Sequence, residues 1–334
     1  MRSYFIKRIL WMLPTLFGIV TITFFLTKLR PDPLSQMAFG PEGLKDTSAA
    51  EQYLQELRRY YGYDKPLWEQ YLLMWKNILT LDFSTSRVDK RKVLEKIAEA
   101  LPYTLILNAI TIFVVYLISV PLGIWSAIHD ATFIEKTLTF LLYILYSLPG
   151  FWVALLLLRY LAGGDYLDLF PLGGFRCEGY ENLPWYLQLW DILHHLVLPV
   201  TVSVYGSIAF MSRFVKSSFL EALKADYIRT AKAKGLTQRR IIYIHALRNS
   251  LIPLITLMAG LLPALFGGSV IVEKIFSIPG LGKLAYDSVY ANDDPVIIAE
   301  VFISAVLTML GILLADLAYA KVDPRITFEK TEVH

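Results

Sequence analysis

A single cysteine, Cys177, in 334 residues leaves the chain no internal disulfide. The five histidines and that thiol make no zinc-spaced cluster and no haem attachment motif, so no metal or cofactor is expected to be bound by this chain. A phosphate-binding loop is missing too. Walker A needs Gly-x-x-x-x-Gly-Lys-Ser/Thr, and the nearest string, ending Gly282-Lys283-Leu284, has Ser277 where the first glycine belongs. No Ser/His/Asp or Cys/His arrangement stands out as a nucleophilic site, so no enzyme is expected. Charge is scarce: Asp, Glu, Lys and Arg make up 18% of the residues, against roughly 25% in an ordinary soluble domain. A formal net charge of +3 gives no broad basic field, which argues against a nucleic-acid partner.

Apolar residues are plentiful, at 55% of the chain. A soluble core of this length could not hide them, so the expected solvent is lipid. Arg2, Lys7 and Arg8 precede an apolar run from Ile9 to Leu29, longer than the roughly 7–15 residues of a cleavable signal core. That run reads as a first transmembrane helix. Spans need about 20 mostly apolar residues. The pattern predicts an all-α membrane fold with six: 9–29, 101–128, 137–161, 194–214, 250–272 and 296–320. The expected division is a membrane helix over 1–29, a small helical region over 30–96, a transmembrane domain over 97–320 with a loop at 215–249, and a tail over 321–334.

The 30–100 stretch holds eleven Lys/Arg and eleven Asp/Glu. Tyr53, Leu54, Leu57, Tyr60 and Tyr61 recur at helical spacing, and Pro66 opens a second periodic stretch through Leu67, Tyr71, Leu72 and Trp75. Val88–Ala100 reads as an amphipathic lead-in that turns at Pro102 into the second span. Orientation follows from loop charge. The 213–249 loop carries nine Lys/Arg against Glu221 and Asp226; the 162–193 loop has one Arg and five acids, and 273–295 has two Lys and four acids. The basic segments and both termini are therefore expected in the cytoplasm of a plasma (inner) membrane protein, with 30–100 outside.

Several spans carry helix breakers. Pro253, Gly260, Pro263, Gly267 and Gly268 in the fifth mark it as a candidate pathway or gate lining, because freed backbone groups need protein or water. Transmembrane helices also tolerate proline and glycine without such a role. Asn108 and Asp316 are the polar residues inside spans; Asp316, one turn from the cytoplasmic end, is read as reaching water. His194 and His195 are either a pH-sensitive patch or interfacial packing. Tyr166, Phe170, Phe175, Tyr180, Trp185, Tyr186 and Trp190 form an aromatic outer loop, which serves contact with a ligand or a partner, or else a membrane-interface belt.

The basic loop is the richest segment. Glu221 to Lys234 are good helix formers, Gly235 follows as a helix-ending residue should, and Thr237 is placed to cap a second helix. Ala231 and Ala233 are small, Tyr227 and Ile228 offer apolar anchors, and Asp226, Arg229, Lys232 and Lys234 supply charge. That mixture suits docking into a groove on a soluble partner. Anionic headgroups beside a solvated basic loop are the other reading.

The string Asp226-Tyr-Ile-Arg-Thr-Ala-Lys-Ala-Lys-Gly235, followed by His245-Ala-Leu-Arg-Asn-Ser-Leu-Ile-Pro253, resembles the signature loop of bacterial ABC-importer permeases, specifically the oligopeptide/dipeptide group. Arg229 and Thr230 stand where the general pattern often has Glu-Ala. Tyr4-Phe-Ile-Lys-Arg-Ile-Leu10, Tyr61-Gly-Tyr-Asp-Lys-Pro-Leu67, Ser119-Val-Pro-Leu-Gly-Ile124, Phe276-Ser-Ile-Pro-Gly-Leu-Gly282 and Val322-Asp-Pro-Arg-Ile326 are similar to other stretches of that group. Ala162–Leu172 with Leu183-Pro-Trp-Tyr186 resembles a sub-branch that imports microcin C and oligopeptides.

The resemblance implies the type I importer fold, with a coupling helix built on Asp226, Tyr227, Arg229, Ala231, Ala233 and Gly235. It also implies a cytoplasmic ATP-binding subunit that uses ATP and Mg, a second homologous permease subunit making a heterodimer, and a substrate-binding protein that delivers peptide. The same architecture importing nickel, glutathione or another small solute is an alternative, and an ATP-independent secondary transporter or channel is another.

Overall fold

The structure is a computed structural model describing residues 2–30, 47–60, 62–163, 166–258 and 260–322. The remaining residues, including 323–334 of the expected 321–334 tail with most of the Val322–Ile326 string, and part of the 30–96 region, lie outside the described set. In chain order the helices are α1 (Arg2–Lys28), α2 (Thr47–Tyr60), α3 (Leu67–Leu79), α4 (Val93–Ile128), α5 (Phe133–Ser147), α6 (Gly150–Leu161), α7 (Trp185–Lys224), α8 (Asp226–Ala233), α9 (Gln238–Arg240), α10 (Leu247–Met258), α11 (Leu261–Phe266), α12 (Val270–Ile275), α13 (Leu281–Tyr290) and α14 (Asp294–Val322). A π-helical stretch, Ile241–Ala246, joins α9 to α10.

This is an all-α multi-pass membrane fold. Ile6–Lys28 of α1, α4, α7 and Asp294–Leu317 of α14 are each long and apolar enough to cross a bilayer. The α5–α6 pair adds a fifth if it is one span bent by 94°. Two of the expected spans are interrupted where the sequence places helix breakers. The 137–161 span is broken, because Leu148 precedes Pro149 and is held extended (φ −76°, ψ 131°). The freed Leu148 carbonyl accepts the Tyr205 hydroxyl of α7 at 2.6 Å. The 250–272 span is divided among α10, α11 and α12. Asn108, on α4, donates its side-chain amide to the carbonyls of Ala264 (3.2 Å), Leu265 (3.0 Å) and Gly267 (2.8 Å), satisfying the end of α11. One correction concerns Pro102, where the expected turn does not occur: α4 runs through it from Val93.

Two units partition the chain. The first comprises residues 1–99 and 284–306. In it α3 packs along α1: Trp75 stacks on Phe17 (5.2 Å between centroids), Tyr71 meets Phe24 edge-on (5.4 Å), and the Thr21 and Tyr71 hydroxyls share a 2.7 Å hydrogen bond. At the start of α14, Asp294 accepts hydrogen bonds from Arg30 (2.7 Å), Arg87 (3.1 Å) and the Tyr63 hydroxyl. Its neighbour Asp293 accepts from the Ser86 hydroxyl and the Arg87 N–H (3.0 Å). Phe83 lies against Phe302 (5.8 Å).

The second unit comprises residues 100–283 and 307–334. Its main core joins Leu107, Val115, Ala154, Phe175, Leu196, Val200, Val204, Met211, Val272, Phe276 and Ile278. Buried Glu273 ties α12 to the following loop: it accepts from the Thr104 hydroxyl (3.0 Å) and from the N–H groups of Ser269 (3.3 Å) and Lys283 (3.0 Å). Thr104 in turn accepts the Leu281 N–H at 2.8 Å. Gly268 sits here because a Cβ would come within 2.5 Å of the Gly282 nitrogen.

Candidate functional site

The basic loop is a built protrusion. α7 stops at Lys224, where Ala225 turns extended (φ −68°, ψ 152°), and α8 starts at once. Its end is a paired turn. Leu236 N–H donates to the Ala231 carbonyl (3.3 Å) and Gly235 N–H to that of Lys232 (3.0 Å), with Gly235 left-handed at φ +74°. These are the two bonds of a Schellman stop. A Cβ on Gly235 would meet no atom within 4 Å, so the glycine is there for its backbone angle and not for close approach. Thr237 takes the N-cap position of α9, but its hydroxyl makes no capping bond.

Burial divides α8 into two faces. Ile228 and Ala231 are buried with Ala127, Phe219, Ile241, Ile242 and Ala246, while Ile124, Leu220, Leu223, Leu236 and Leu247 close the cluster. Two residues that the sequence offered to a partner therefore face inward, because an i, i+3 pair of small or apolar residues is what a helix needs to seat itself on its own core. Asp226, Tyr227, Arg229, Thr230, Lys232, Ala233 and Lys234 are exposed. Arg229 and Asp226 pair at 3.5 Å on this outer face. The outer surface is thus basic around one aromatic ring and one alanine.

A clamp that sequence reasoning missed stands beside this seat. Lys216 of α7 bonds Asp130 (2.7 Å) and Glu135 (2.8 Å) across the turn between α4 and α5. Thr132 accepts the Glu135 N–H as N-cap (3.3 Å), and Thr139 donates to the Glu135 carboxylate (2.7 Å). The Lys216 hydrogen bond holds the Asp130 carboxyl, in the turn, below its usual range. The only signal in the sequence was an uncompensated lysine next to the fourth span, 81 residues from Glu135.

The pathway candidates are dispersed. A cavity of about 380 Å³ is lined by Thr111, Val115, Tyr116, Tyr146, Gly206 and Phe210, with Leu261 contributed by the broken fifth segment. Pro253, Gly260, Pro263, Gly267 and Gly268 are not among its lining residues. Gly267 gives its carbonyl to the Asn108 side chain, and Gly268 packs against Gly282. The Thr111 and Tyr116 hydroxyl oxygens are buried and make no hydrogen bond with another described protein atom. His194 bonds the Leu169 carbonyl (2.8 Å), and His195 bonds that of Asp191 (2.8 Å). Of the aromatic loop, Phe175 is buried against Tyr103 (4.8 Å), whereas Trp185, Tyr186 and Trp190 stay exposed.

Among the described residues, no group of three or more His, Cys, Asp or Glu side chains is placed to hold a metal ion.

Residues 119–328 match the family model described as "Binding-protein-dependent transport system inner membrane component". The chain is 39% identical to the oligopeptide transport system permease protein of Bacillus subtilis, over 98% of this chain and 100% of that protein. It is 32% identical to an inner membrane ABC transporter permease protein of Escherichia coli O157:H7 (98% and 100%) and 36% identical to the dipeptide transport system permease protein of Lactococcus lactis (98% and 99%). Among solved structures, a chain of a methionine ABC transporter in an inward-facing conformation shares the fold, with a TM-score of 0.51 at 18% identity over 70% of this chain and 97% of that one.

Proposed function

Because the chain belongs to the family of inner membrane components of binding-protein-dependent transport systems, we propose that it forms half of the membrane pathway for short peptides in an ATP-driven importer. The observation that carries this reading is α8: a helix with a fixed end, seated on its own core, presenting a basic outer face. We assign that face to a groove on a cytoplasmic ATP-binding subunit, which hydrolyses MgATP. Exposed Asp226, Tyr227, Arg229 and Ala233 make the contact, while Ala231 and Gly235 hold the helix in shape.

The loop charge supports cytoplasmic termini and an outward 30–96 region. Relatives named for oligopeptide and dipeptide transport support peptide cargo. Cargo choice lies with a substrate-binding protein, and a second, homologous permease subunit closes the pathway as a heterodimer. The stretches 162–172 and 183–186 favour microcin-like peptides within that class.

The test uses the importer reconstituted in proteoliposomes with a mixed oligopeptide library. Ala233→Arg, on the exposed face, should leave the subunit inserted yet weaken ATPase-subunit binding about tenfold, the scale of one good interface contact. Hydrolysis stimulated by loaded binding protein should fall with it. Normal stimulated hydrolysis and normal co-purification would remove α8 as the dock.

A further inference from the structure

The α3 helix stands in what the sequence presents as a water-exposed region, yet it packs along α1, a helix apolar enough to cross a membrane. Along α1 it descends from Tyr71, beside Phe24 and Phe25, to Trp75, stacked on Phe17. Phe17 is eleven residues before Lys28 in a helix apolar enough to cross a membrane. At 1.5 Å per residue that is about 16 Å, half of a hydrocarbon core of about 30 Å. A second measure comes from α14. Phe83, just past α3, lies against Phe302, eight residues beyond Asp294, or about 12 Å into that candidate span.

The outer flank of α3 is apolar. Trp68 (63% exposed), Leu72 (57%), Leu73 (40%) and Leu79 (80%) face away from the protein, followed by Leu81 (60%) in the turn. α1 also exposes Phe17, Ile22, Phe25 and Leu26, and Leu29 just past it is exposed too. Lys76 is the exposed charge on the helix; a lysine stem lies along apolar surface while its head reaches out.

The end of α3 is also satisfied from within, as lipid demands. Thr80 N–H and hydroxyl both go to the Lys76 carbonyl (3.0 and 2.9 Å), Asp82 N–H to Asn77 (2.9 Å), and Leu81 N–H to Ile78 (3.1 Å). Leu81 itself is left-handed at φ +54°, a position usually given to glycine. Asp82 keeps its carboxylate on the Ser84 N–H (3.2 Å).

We propose that α3 is a membrane-inserted helix whose Trp68–Leu72–Leu79 flank is covered by the acyl chains of the leaflet on the Lys28 side of the bilayer. The proposal rests on α1 and α14 crossing the membrane, not on cargo or ATP coupling. Under the orientation proposed above, that leaflet is the outer one.

Spin labels test it on the full-length chain, with whatever partners it retains, in nanodiscs of phosphatidylethanolamine and phosphatidylglycerol. In a Cys177→Ser background, Leu72→Cys and Leu79→Cys carry the label, Leu73→Cys replaces either if it fails to fold, and Lys90→Cys is the aqueous reference. Oxygen access should exceed access of a water-soluble nickel chelate severalfold at 72 and 79, with the order reversed at 90. Nickel access at 72 and 79 equal to that at 90 would put α3 in water. Exclusion of both reagents would put it under protein. Either result overturns the proposal, and neither depends on transport activity.

Discussion

Two regions of the second unit carry the same helix-breaking residues and meet opposite fates. α7 contains Pro199 and Gly206 and still runs unbroken for 40 residues, about 60 Å. The 247–275 segment, with Pro253, Pro263 and three glycines, divides into α10, α11 and α12, and the α5–α6 segment bends by 94° at Pro149. Proline alone therefore does not decide. What separates the cases is whether a neighbouring side chain takes up the released carbonyls. Tyr205 captures one at the α5–α6 bend and Asn108 captures three at the end of α11. Inside α7, Thr201, Ser203 and Ser212 spend their hydroxyls on carbonyls of their own helix.

The largest way to break this contrast is Asn108→Leu. It strands the carbonyls of Ala264, Leu265 and Gly267 and should cost about 2 kcal/mol. A lowered thermal midpoint in detergent, with faster proteolysis near 259–269, is the expected result; an unchanged midpoint would show that the break holds itself. Tyr205→Phe removes a single hydrogen bond, and a loss of about 1 kcal/mol on the same assay is expected. Pro199→Ala sharpens the contrast from the other side. An already continuous helix gains an N–H but loses the packing of a buried ring, so the two offset, the helix stays unbroken and the shift should stay within about 1 kcal/mol.

The sequence made the punctuation legible and left the settlement between distant residues hidden. Gly235 ends a helix as its chemistry required, and Pro149 broke one. That Tyr205 lies 57 residues from the carbonyl it serves, or that Asn108 reaches 156 residues to Ala264, is set by packing and leaves no local mark. The same limit applies at α8. Composition identified a helix with small residues, but only the cluster around Phe219 and Ile242 shows that Ala231 faces home while Ala233 faces out. Apolar content likewise marked α1, α4, α7 and α14 as spans, because a long uninterrupted run is a local property. The interrupted stretches 137–161 and 250–272 were apolar enough to read as spans too, and their prolines and glycines marked the breaks, but not which distant side chains take up the freed carbonyls.

The unbroken α7 has a mechanical corollary. Its foot shares the Phe219 cluster with α8 and holds the Lys216 clamp, while Tyr205 and Phe210 higher on the same rod touch the α5–α6 bend and the cavity. A jointed element dissipates a push at its first joint. If α8 docks as proposed, one continuous helix joins the docking foot to the cavity wall, and a push there would have a crowbar's single lever to travel along.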